Sequence, residues 1–186
     1  MENNFHEVRN FGTLLFNAPA PAVNQIKNGD FKDVKRTPRR IGAWSITKAD
    51  AAAGKIELDP AHFVKGGQSL KFSGLKNKNE RTGIVQTLKL KPNTNYILSF
   101  YAKTEKILPF DGKPGRGAAI ILRFDGQNHI LPRGWIVGTN PWTQYVYEFK
   151  TGALKDKGAP YIFLRLSWAS GTVWYDDIKI TEIKEK

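Results

Sequence analysis

The fold is decided by the stretch Tyr161-Ile-Phe-Leu-Arg-Leu-Ser-Trp168, then Ala-Ser-Gly, then Thr172-Val-Trp-Tyr-Asp-Asp-Ile-Lys-Ile-Thr181. Both runs are dense in β-branched and aromatic residues, which favour strands. Ser170-Gly171 between them is a turn signal, so the stretch predicts a β-hairpin. Its second run contains Asp176 and Asp177, and a carboxylate in a packed strand needs a cation, a metal or backbone N–H groups as partner.

The rest of the chain shows further short runs with a two-residue period. Residues 84–90 and 96–102 alternate clearly, and Gly, Pro and Asn interrupt the runs at spacings of roughly 8–12 residues. The only helix-friendly segment, Ala49 to Ala53, is closed by Gly54. The pattern predicts an all-β antiparallel β-sandwich, with residues 1–23 as an N-terminal extension or edge segment and residues 24–186 as the domain.

Composition and charge restrict the kinds of ligand and surface that the chain can bind. The 186 residues carry 29 Lys and Arg against 17 Asp and Glu, a formal charge of +12, which favours polyanions. There is no cysteine, so disulfides, zinc–thiolate sites and cysteine nucleophiles are excluded. No apolar run reaches the ~18–20 residues of a membrane span. Nucleic acid is disfavoured as a ligand because no basic-aromatic single-strand motif is evident.

Catalytic signatures are missing from the sequence. His6, His62 and His129 stand apart, and there is no zinc-protease helix motif, nucleophile elbow or phosphate-binding loop. We therefore expect a binding protein, not an enzyme. A carboxylate pair for glycoside hydrolysis stays open, since its members can be distant in sequence. The available carboxylates are Glu57, Glu80, Glu148, Asp176 and Asp177.

Alternation also predicts an exposed face. If Tyr96, Leu98 and Phe100 face the core, then Tyr101 lies on the solvated side of its strand. The same argument turns Arg123 and Arg165 outward, and we expect these three on one face. Aromatic rings and planar guanidinium forks suit the C–H faces and hydroxyl pairs of sugars, whereas a cross-strand ion pair is the alternative role for the arginines. The candidate ligand-binding residues are Arg81, Tyr101, Lys103, Arg123, Trp135, Arg165 and Trp168, while Trp44, Trp142 and Trp174 are assigned to the core.

Several motifs in order carry a family resemblance. They are Asn28-Gly-Asp-Phe31, Gly67-Gln-Ser-Leu70, the run from Val85 to Lys103, Trp142-Thr-Gln-Tyr145, and Gly171-Thr-Val-Trp-Tyr-Asp-Asp-Ile178. Over about residues 24–183 the chain resembles carbohydrate-binding modules of the family 4/9/22 type, which have a galactose-binding-like jelly roll. The resemblance implies a non-catalytic module that binds a polysaccharide or oligosaccharide on a concave sheet face. It also implies an appended glycoside hydrolase or lyase domain and an extracellular or cell-surface protein.

The resemblance further implies a structural calcium site. Carried over, its ligands are Asp30, carbonyl groups near Lys65 and Gln68, and the side chain of Asp176, and calcium takes six to eight such oxygens. Lys32 stands where the family usually has Glu. Its ammonium group could replace the ion and pair with Asp176.

Three functions remain after this reading. The leading one is recognition of a polysaccharide, with acidic chains as the narrower expectation, because Arg and Lys stand where related modules carry an aromatic residue. The second is a catalytic β-sandwich, such as a polysaccharide lyase or glycosidase. The third is a structural spacer domain with no ligand.

Overall fold

The computed structural model describes residues 6–7, 23–154 and 158–183. Within them, thirteen strands and one short helix account for the regular structure. The elements are β1 (His6–Glu7), β2 (Arg36–Thr37), β3 (Arg40–Ile41), β4 (Trp44–Ser45), α1 (Lys48–Ala53), β5 (Lys55–Asp59), β6 (Ser69–Ser73), β7 (Arg81–Thr87), β8 (Asn95–Pro109), β9 (Gly117–Phe124), β10 (Gln127–Ile136), β11 (Gly138–Lys150), β12 (Tyr161–Ser167) and β13 (Ala169–Glu182).

The strands form two antiparallel sheets. The six-stranded sheet has the order β1-β11-β8-β13-β6-β5, and the seven-stranded sheet has the order β10-β9-β12-β7-β4-β3-β2. The apolar positions of both sheets pack against each other in one core. The predicted all-β antiparallel sandwich is therefore confirmed.

The predicted hairpin between the last two long strands is wrong. Strand β12 pairs with β7 and β9 in the seven-stranded sheet, whereas β13 pairs with β6 and β8 in the six-stranded sheet. The chain crosses from one sheet to the other at Trp168, whose φ of 54° is left-handed, and Ser170 already pairs with Leu108. Both runs are apolar at every second position because they face the same core from opposite sides, so alternation could not distinguish this crossing from a turn.

Aromatic rings fill the space between the sheets. Tyr175 of β13 is fully buried against Phe72 and Phe100, with ring centroids 5.8 and 6.5 Å away. Burial of each such side chain contributes about 1.5–3 kcal/mol. The Tyr175 hydroxyl group reaches across the core and lies within hydrogen-bond distance of two carbonyl oxygens of the opposite sheet, those of Ala119 (3.1 Å) and Arg165 (2.8 Å). This one side chain therefore ties both sheets together.

The helix α1 agrees with the short helix-friendly segment of the sequence. Thr47 caps it by accepting a hydrogen bond from the Asp50 N–H group, and the Thr82 hydroxyl group donates to the Asp50 carbonyl oxygen. In the described ranges, no helix has both the length and the apolar character to cross a membrane.

The predicted N-terminal extension, residues 1–23, falls largely outside the described residues. Of this segment the structure describes His6–Glu7, which forms the edge strand β1 beside β11, and Val23.

The hydroxyl group of Tyr175 provides a test of how the sheets are joined. We expect Tyr175→Phe to lower the free energy of unfolding by about 1 kcal/mol, because it removes a buried hydrogen-bond donor but keeps the ring. Urea denaturation measures this change, with Tyr101→Phe, on the solvated side of β8, as the control. An unchanged midpoint for Tyr175→Phe would show that the hydroxyl group adds nothing to the contact between the sheets.

Candidate functional site

The outward-facing side chains of the seven-stranded sheet are aligned in rows that run across its strands. The central row, called here the apolar row, is Ile130, Ile121, Phe163 and Val85, which are direct neighbours on β10, β9, β12 and β7. Ser45 of β4 and Arg40 of β3 continue the same line. From β10 to β3 there are five strand spacings, so the line is roughly 24 Å long.

Polar side chains flank the apolar row on both sides. On one side Arg123 pairs with Tyr161 across the strands, with its guanidinium carbon 6.0 Å from the ring centroid, and donates to Asn128. On the other side Arg165 of β12 lies with its guanidinium carbon 4.6 Å from the centre of the Phe163 ring. The arrangement presents an apolar strip with hydrogen-bond donors along both edges.

Small residues make room for the side chains of β12. Arg165 is opposite Gly83 on β7 and Ala119 on β9. A Cβ atom at Gly83 would lie 2.7 Å from the Phe163 ring and 3.1 Å from Cγ of Arg165, and it would collide with the Leu164 carbonyl oxygen. Phe163 and Arg165 can lie low over the sheet because position 83 has no side chain.

The guanidinium groups of the arginines on this face are not paired with carboxylates of the described residues. In the described ranges, none of Arg81, Arg123 and Arg165 has a carboxylate oxygen within ion-pair distance. The alternative role, a cross-strand ion pair, is therefore not observed there. Buried Nε of Arg165 and the buried hydroxyl oxygen of Ser167, two residues on, have no hydrogen-bond partner among the described residues. Both atoms are buried beneath the face, so their lack of a partner carries a desolvation cost within the protein.

The electrostatics of Arg165 agree with a face that attracts anions. Burial lowers the pKa of Arg165, and the nearby positive charge of Arg81 lowers it further, while the Asp50 carboxylate opposes the change. Burial in turn raises the pKa of Asp50. Arg81 and Arg165 thus repel each other, and an anion placed between them would relieve that repulsion.

Two tryptophans stand at one end of the same face. The rings of Trp135 and Trp168 are 6.1 Å apart at an angle of 51°, and the Arg116 guanidinium carbon lies 5.2 Å from the Trp168 ring centre. Both tryptophans have left-handed backbones, with φ values of 66° and 54°. Such conformations cost on the order of 1–3 kcal/mol and persist where surrounding structure, often at ligand sites, enforces them. A ligand-binding role for Trp135 and Trp168 stays a prediction.

The expectation that Tyr101, Arg123 and Arg165 share one face is wrong. Tyr101 and Lys103 are on β8 of the six-stranded sheet, on the opposite side of the sandwich from the two arginines. Lys103 covers the ring of Trp174, with its Nζ atom 5.1 Å from the ring centre. Alternation assigns each side chain to the inner or outer side of its own sheet, but it does not say which sheet the strand joins. A ligand-binding role for Tyr101 and Lys103 stays a prediction.

The core assignments of the tryptophans are correct only in part. Trp44 is fully buried in the core, and its indole N–H donates to the Asn28 carbonyl oxygen. Trp174 is 3% exposed but lies on the outer side of the six-stranded sheet, beneath Lys71 and Lys103. Trp142 is half-buried.

The predicted calcium ligands lie around the loop of residues 60–68. Asp176 is fully buried, and one of its carboxylate oxygens accepts the N–H groups of Val64 and Lys65 at 2.7 and 2.8 Å. Its other oxygen accepts the N–H of Asp177. Burial raises the pKa of Asp176, and these hydrogen bonds oppose that effect. Backbone donors therefore already occupy the carboxylate that a calcium ion would need.

The remaining predicted ligands do not complete an oxygen shell. Lys32 pairs with Asp30 at 3.2 Å, so the expectation that it pairs with Asp176 is wrong. Gln68 donates its amide group to the Phe31 carbonyl oxygen. In the described part of the chain, no group of three or more His, Cys, Asp or Glu residues is placed to hold a metal ion. The side chains alone therefore supply fewer oxygens than the six to eight of a calcium shell, and backbone carbonyl groups would have to provide the rest. Calcium binding stays a prediction that the geometry disfavours.

A second carboxylate, which the sequence gave no reason to select, fixes the other end of the 60–68 loop. Asp59 accepts hydrogen bonds from the Trp174 indole (2.7 Å), the Ala61 N–H (2.8 Å) and the His62 ring (3.1 Å). Burial alone would raise the pKa of Asp59, but these hydrogen bonds outweigh it and lower the pKa from 3.8 to about 2. The ionised form of Asp59 therefore stabilises the folded state.

Other residues that sequence reasoning left out of the site are Tyr161, Phe163, Ile121, Gly83 and Ser167. The sequence could have identified three of them. Tyr161, Phe163 and Ser167 are two residues apart from one another or from Arg165, so alternation places them on the same outward side of β12. Ile121 and Gly83 join them only through strand pairing, which the sequence does not give.

The face thus combines an apolar strip, flanking arginines and two tryptophans, which are groups that suit the C–H faces and hydroxyl groups of sugars. The chain belongs to the CBM_4_9 family, described as a carbohydrate binding domain, whose family model matches residues 23–171. This confirms the resemblance seen in the sequence and makes carbohydrate the ligand class of the domain.

Individual similarities agree with the family. A structure titled Family 16 Carbohydrate Binding Module-2 is 25% identical with a TM-score of 0.52, and the match covers 74% of this chain and 99% of that one. The CBM22-1 xylan-binding domain of Paenibacillus barcinonensis Xyn10C has a TM-score of 0.57 at 14% identity, over 91% and 100% of the two chains, and supports the fold alone. The tRNA nuclease WapA of Bacillus subtilis (strain 168) is 26% identical in an alignment 174 residues long, which covers 86% of this chain but 7% of the relative.

The Asp59 carboxylate predicts an acid-dependent loss of stability. Because its folded-state pKa of about 2 lies below the unfolded value of 3.8, its contribution is present above about pH 4 and is lost as the pH falls towards 2. We expect Asp59→Asn to cost about 1–3 kcal/mol at pH 7 and to flatten this part of the stability profile. Urea unfolding between pH 7 and 2 measures both effects. An unchanged pH profile in the variant would contradict the role given to Asp59.

The arrangement around Asp176 predicts thermal stability that does not depend on calcium. We expect the same melting temperature, within about 1 °C, in excess CaCl2 and in excess EDTA, because an ion bound only to the folded state would raise it. Differential scanning calorimetry provides the measurement, with MgCl2 as the ionic-strength control. A clear increase with calcium alone would restore the calcium site predicted from the sequence.

Proposed function

We propose that the outer face of the seven-stranded sheet binds a polysaccharide whose sugar rings lie along the apolar row. The observation that carries this proposal is the combination of Phe163 and its apolar neighbours with Arg123 and Arg165, which are unpaired with carboxylates in the described residues. Sugar C–H groups pack on apolar and aromatic surface, and guanidinium groups donate paired hydrogen bonds to hydroxyl or carboxylate oxygens. Trp135 and Trp168 lie beside this row, beyond the last paired residue of β12, where they can contact a chain that is wider than the row.

Acidic polysaccharides are the favoured ligands within this proposal. The formal charge is +12, and Arg81, Arg123 and Arg165 all stand on the binding face. A guanidinium fork binds a carboxylate more strongly than a hydroxyl group, because both partners are charged. A neutral chain would still use the apolar row, so affinity for acidic chains should fall with added salt while affinity for neutral chains should not.

The biological role proposed for the domain is to hold a glycan-degrading enzyme near its substrate outside the cell or on its surface. Support comes from the family and from a related structure that is itself a carbohydrate-binding module. The curated relatives are named as nucleases, but the chain spans only 7% of their length. Their named activity is no guide to the function of this domain.

The binding face is tested by two matched aromatic substitutions. We expect Phe163→Ala to weaken binding to a responsive glycan by ~1–3 kcal/mol, by analogy with base–aromatic stacking, and Tyr101→Ala to leave it unchanged. A glycan array with neutral and acidic polysaccharides at two salt concentrations identifies the ligand, and isothermal titration calorimetry on the variants gives the affinities. Circular dichroism shows whether each variant is folded.

The reverse outcome would place the binding surface on the six-stranded sheet. Cleavage of a polysaccharide by the purified chain would support the catalytic alternative. A folded protein that binds nothing on the array would support the spacer alternative and contradict the proposal.

A further inference from the structure

A cleft of about 460 Å³ opens at the Val85 end of the apolar row. It lies between residues 23–27 and strands β3, β4 and β7. Residues 23–27 are held there because the side-chain amide of Gln86 bonds both the N–H and the carbonyl group of Lys27. Asn24 fixes the other end by bridging to Thr181 of the six-stranded sheet. The cleft is thus bounded by anchored backbone on more than one side.

The charged side chains that line this cleft are all cationic. They are Lys27, Arg40 and Lys89, and no Asp or Glu is among the lining residues. All three cations are solvent-exposed, and none forms an ion pair in the described ranges. Like charges around a concavity repel each other and raise the local positive potential, which attracts an anion.

The cleft also contains neutral hydrogen-bonding groups. Ser45 and Thr87 line it, and in the described ranges neither side chain has a hydrogen bond assigned to it. Hydroxyl groups beside cations can complete the coordination of an anionic oxygen, because each can donate one hydrogen bond.

The strand register places this cleft in line with the sugar-binding row. Val85, the last member of the apolar row, pairs with Ser45, and Ser45 pairs with Arg40. A chain that lies along the apolar row and continues in the same direction therefore meets Ser45 and then Arg40. Strand spacing puts Arg40 roughly 10 Å beyond Val85, a distance the same bound chain can reach.

We propose that Lys27, Arg40 and Lys89 form a subsite for an anionic substituent, a carboxylate or a sulfate or phosphate ester, of the glycan bound along the apolar row. The inference rests on the proposed function and adds the position at which the negative group is recognised. The planar guanidinium of Arg40 suits the paired oxygens of any of these groups, and the two ammonium groups act as point charges. Because the three cations lie at only one end of the apolar row, beyond Val85, the subsite also fixes the direction of the chain.

The test uses pairs of probes that differ only in charge. Polygalacturonate is compared with its fully methyl-esterified form, and dextran sulfate with dextran, by titration calorimetry at fixed ionic strength. The triple variant Lys27→Gln, Arg40→Gln, Lys89→Gln removes the cleft cations. The control variant Lys55→Gln, Lys106→Gln, Lys150→Gln removes the same charge from exposed positions on strands of the six-stranded sheet.

We expect the cleft variant to lose about tenfold in affinity for the charged probe, and less than about twofold for its neutral counterpart. The pair that responds, carboxylate or sulfate, identifies the source of the anion. An equal loss in both triple variants would reduce the effect to net charge and overturn the subsite. Binding of the charged probes that is unaffected in the cleft variant would also overturn it while leaving the proposed function intact, whereas failure of the unmodified protein to bind any probe or any glycan on the array would contradict both.

Discussion

The alternation of inward and outward side chains along β12 is the constraint on which both the core and the proposed binding face depend. Its inward residues Ile162, Leu164 and Leu166 are fully buried between the sheets. Its outward residues include Phe163 and Arg165, which define the candidate face. Because neighbouring residues of one strand serve opposite surfaces, the packing of the core fixes the height and spacing of the side chains that meet a ligand. The strand is flanked on both sides by β7 and β9, so this spacing is held from two directions.

Charged side chains have different kinds of partner on the two outer faces of the sandwich. On the six-stranded sheet, the carboxylates of Asp59 and Asp176 are satisfied by N–H groups of the 60–68 loop and by Trp174, and the loop covers the sheet. On the seven-stranded sheet, Arg81, Arg123 and Arg165 have no carboxylate oxygen within ion-pair distance in the described ranges. On the six-stranded sheet, hydrogen bonds thus stabilise the carboxylates within the protein and hold the loop in place. On the seven-stranded sheet, the arrangement leaves positive charge for a partner outside the protein.

Sequence reasoning predicted the sandwich and the outward direction of Arg123 and Arg165, because a two-residue period is a local property of each strand. It did not predict that β12 and β13 belong to different sheets, and so it joined Tyr101 to the arginines. Sheet membership is set by pairing between distant segments, such as β12 with β7, and no local pattern encodes it. The partner of Lys32 was missed for the opposite reason. Its partner is Asp30, two residues away in the chain, whereas the distant Asp176 is enclosed by the 60–68 loop.

The glycine at position 83 has a consequence for how this domain can evolve. A side chain there would displace the Phe163 ring and Arg165 and would press on the Leu164 carbonyl group in the ladder between β7 and β12. Position 83 therefore tolerates few substitutions, because almost any side chain there alters both the β7–β12 pairing and the proposed binding surface. New specificity is accessible mainly around the edge of the face. There Arg40, Arg123 and the two tryptophans can be exchanged without disturbing the pairing of β7 with β12.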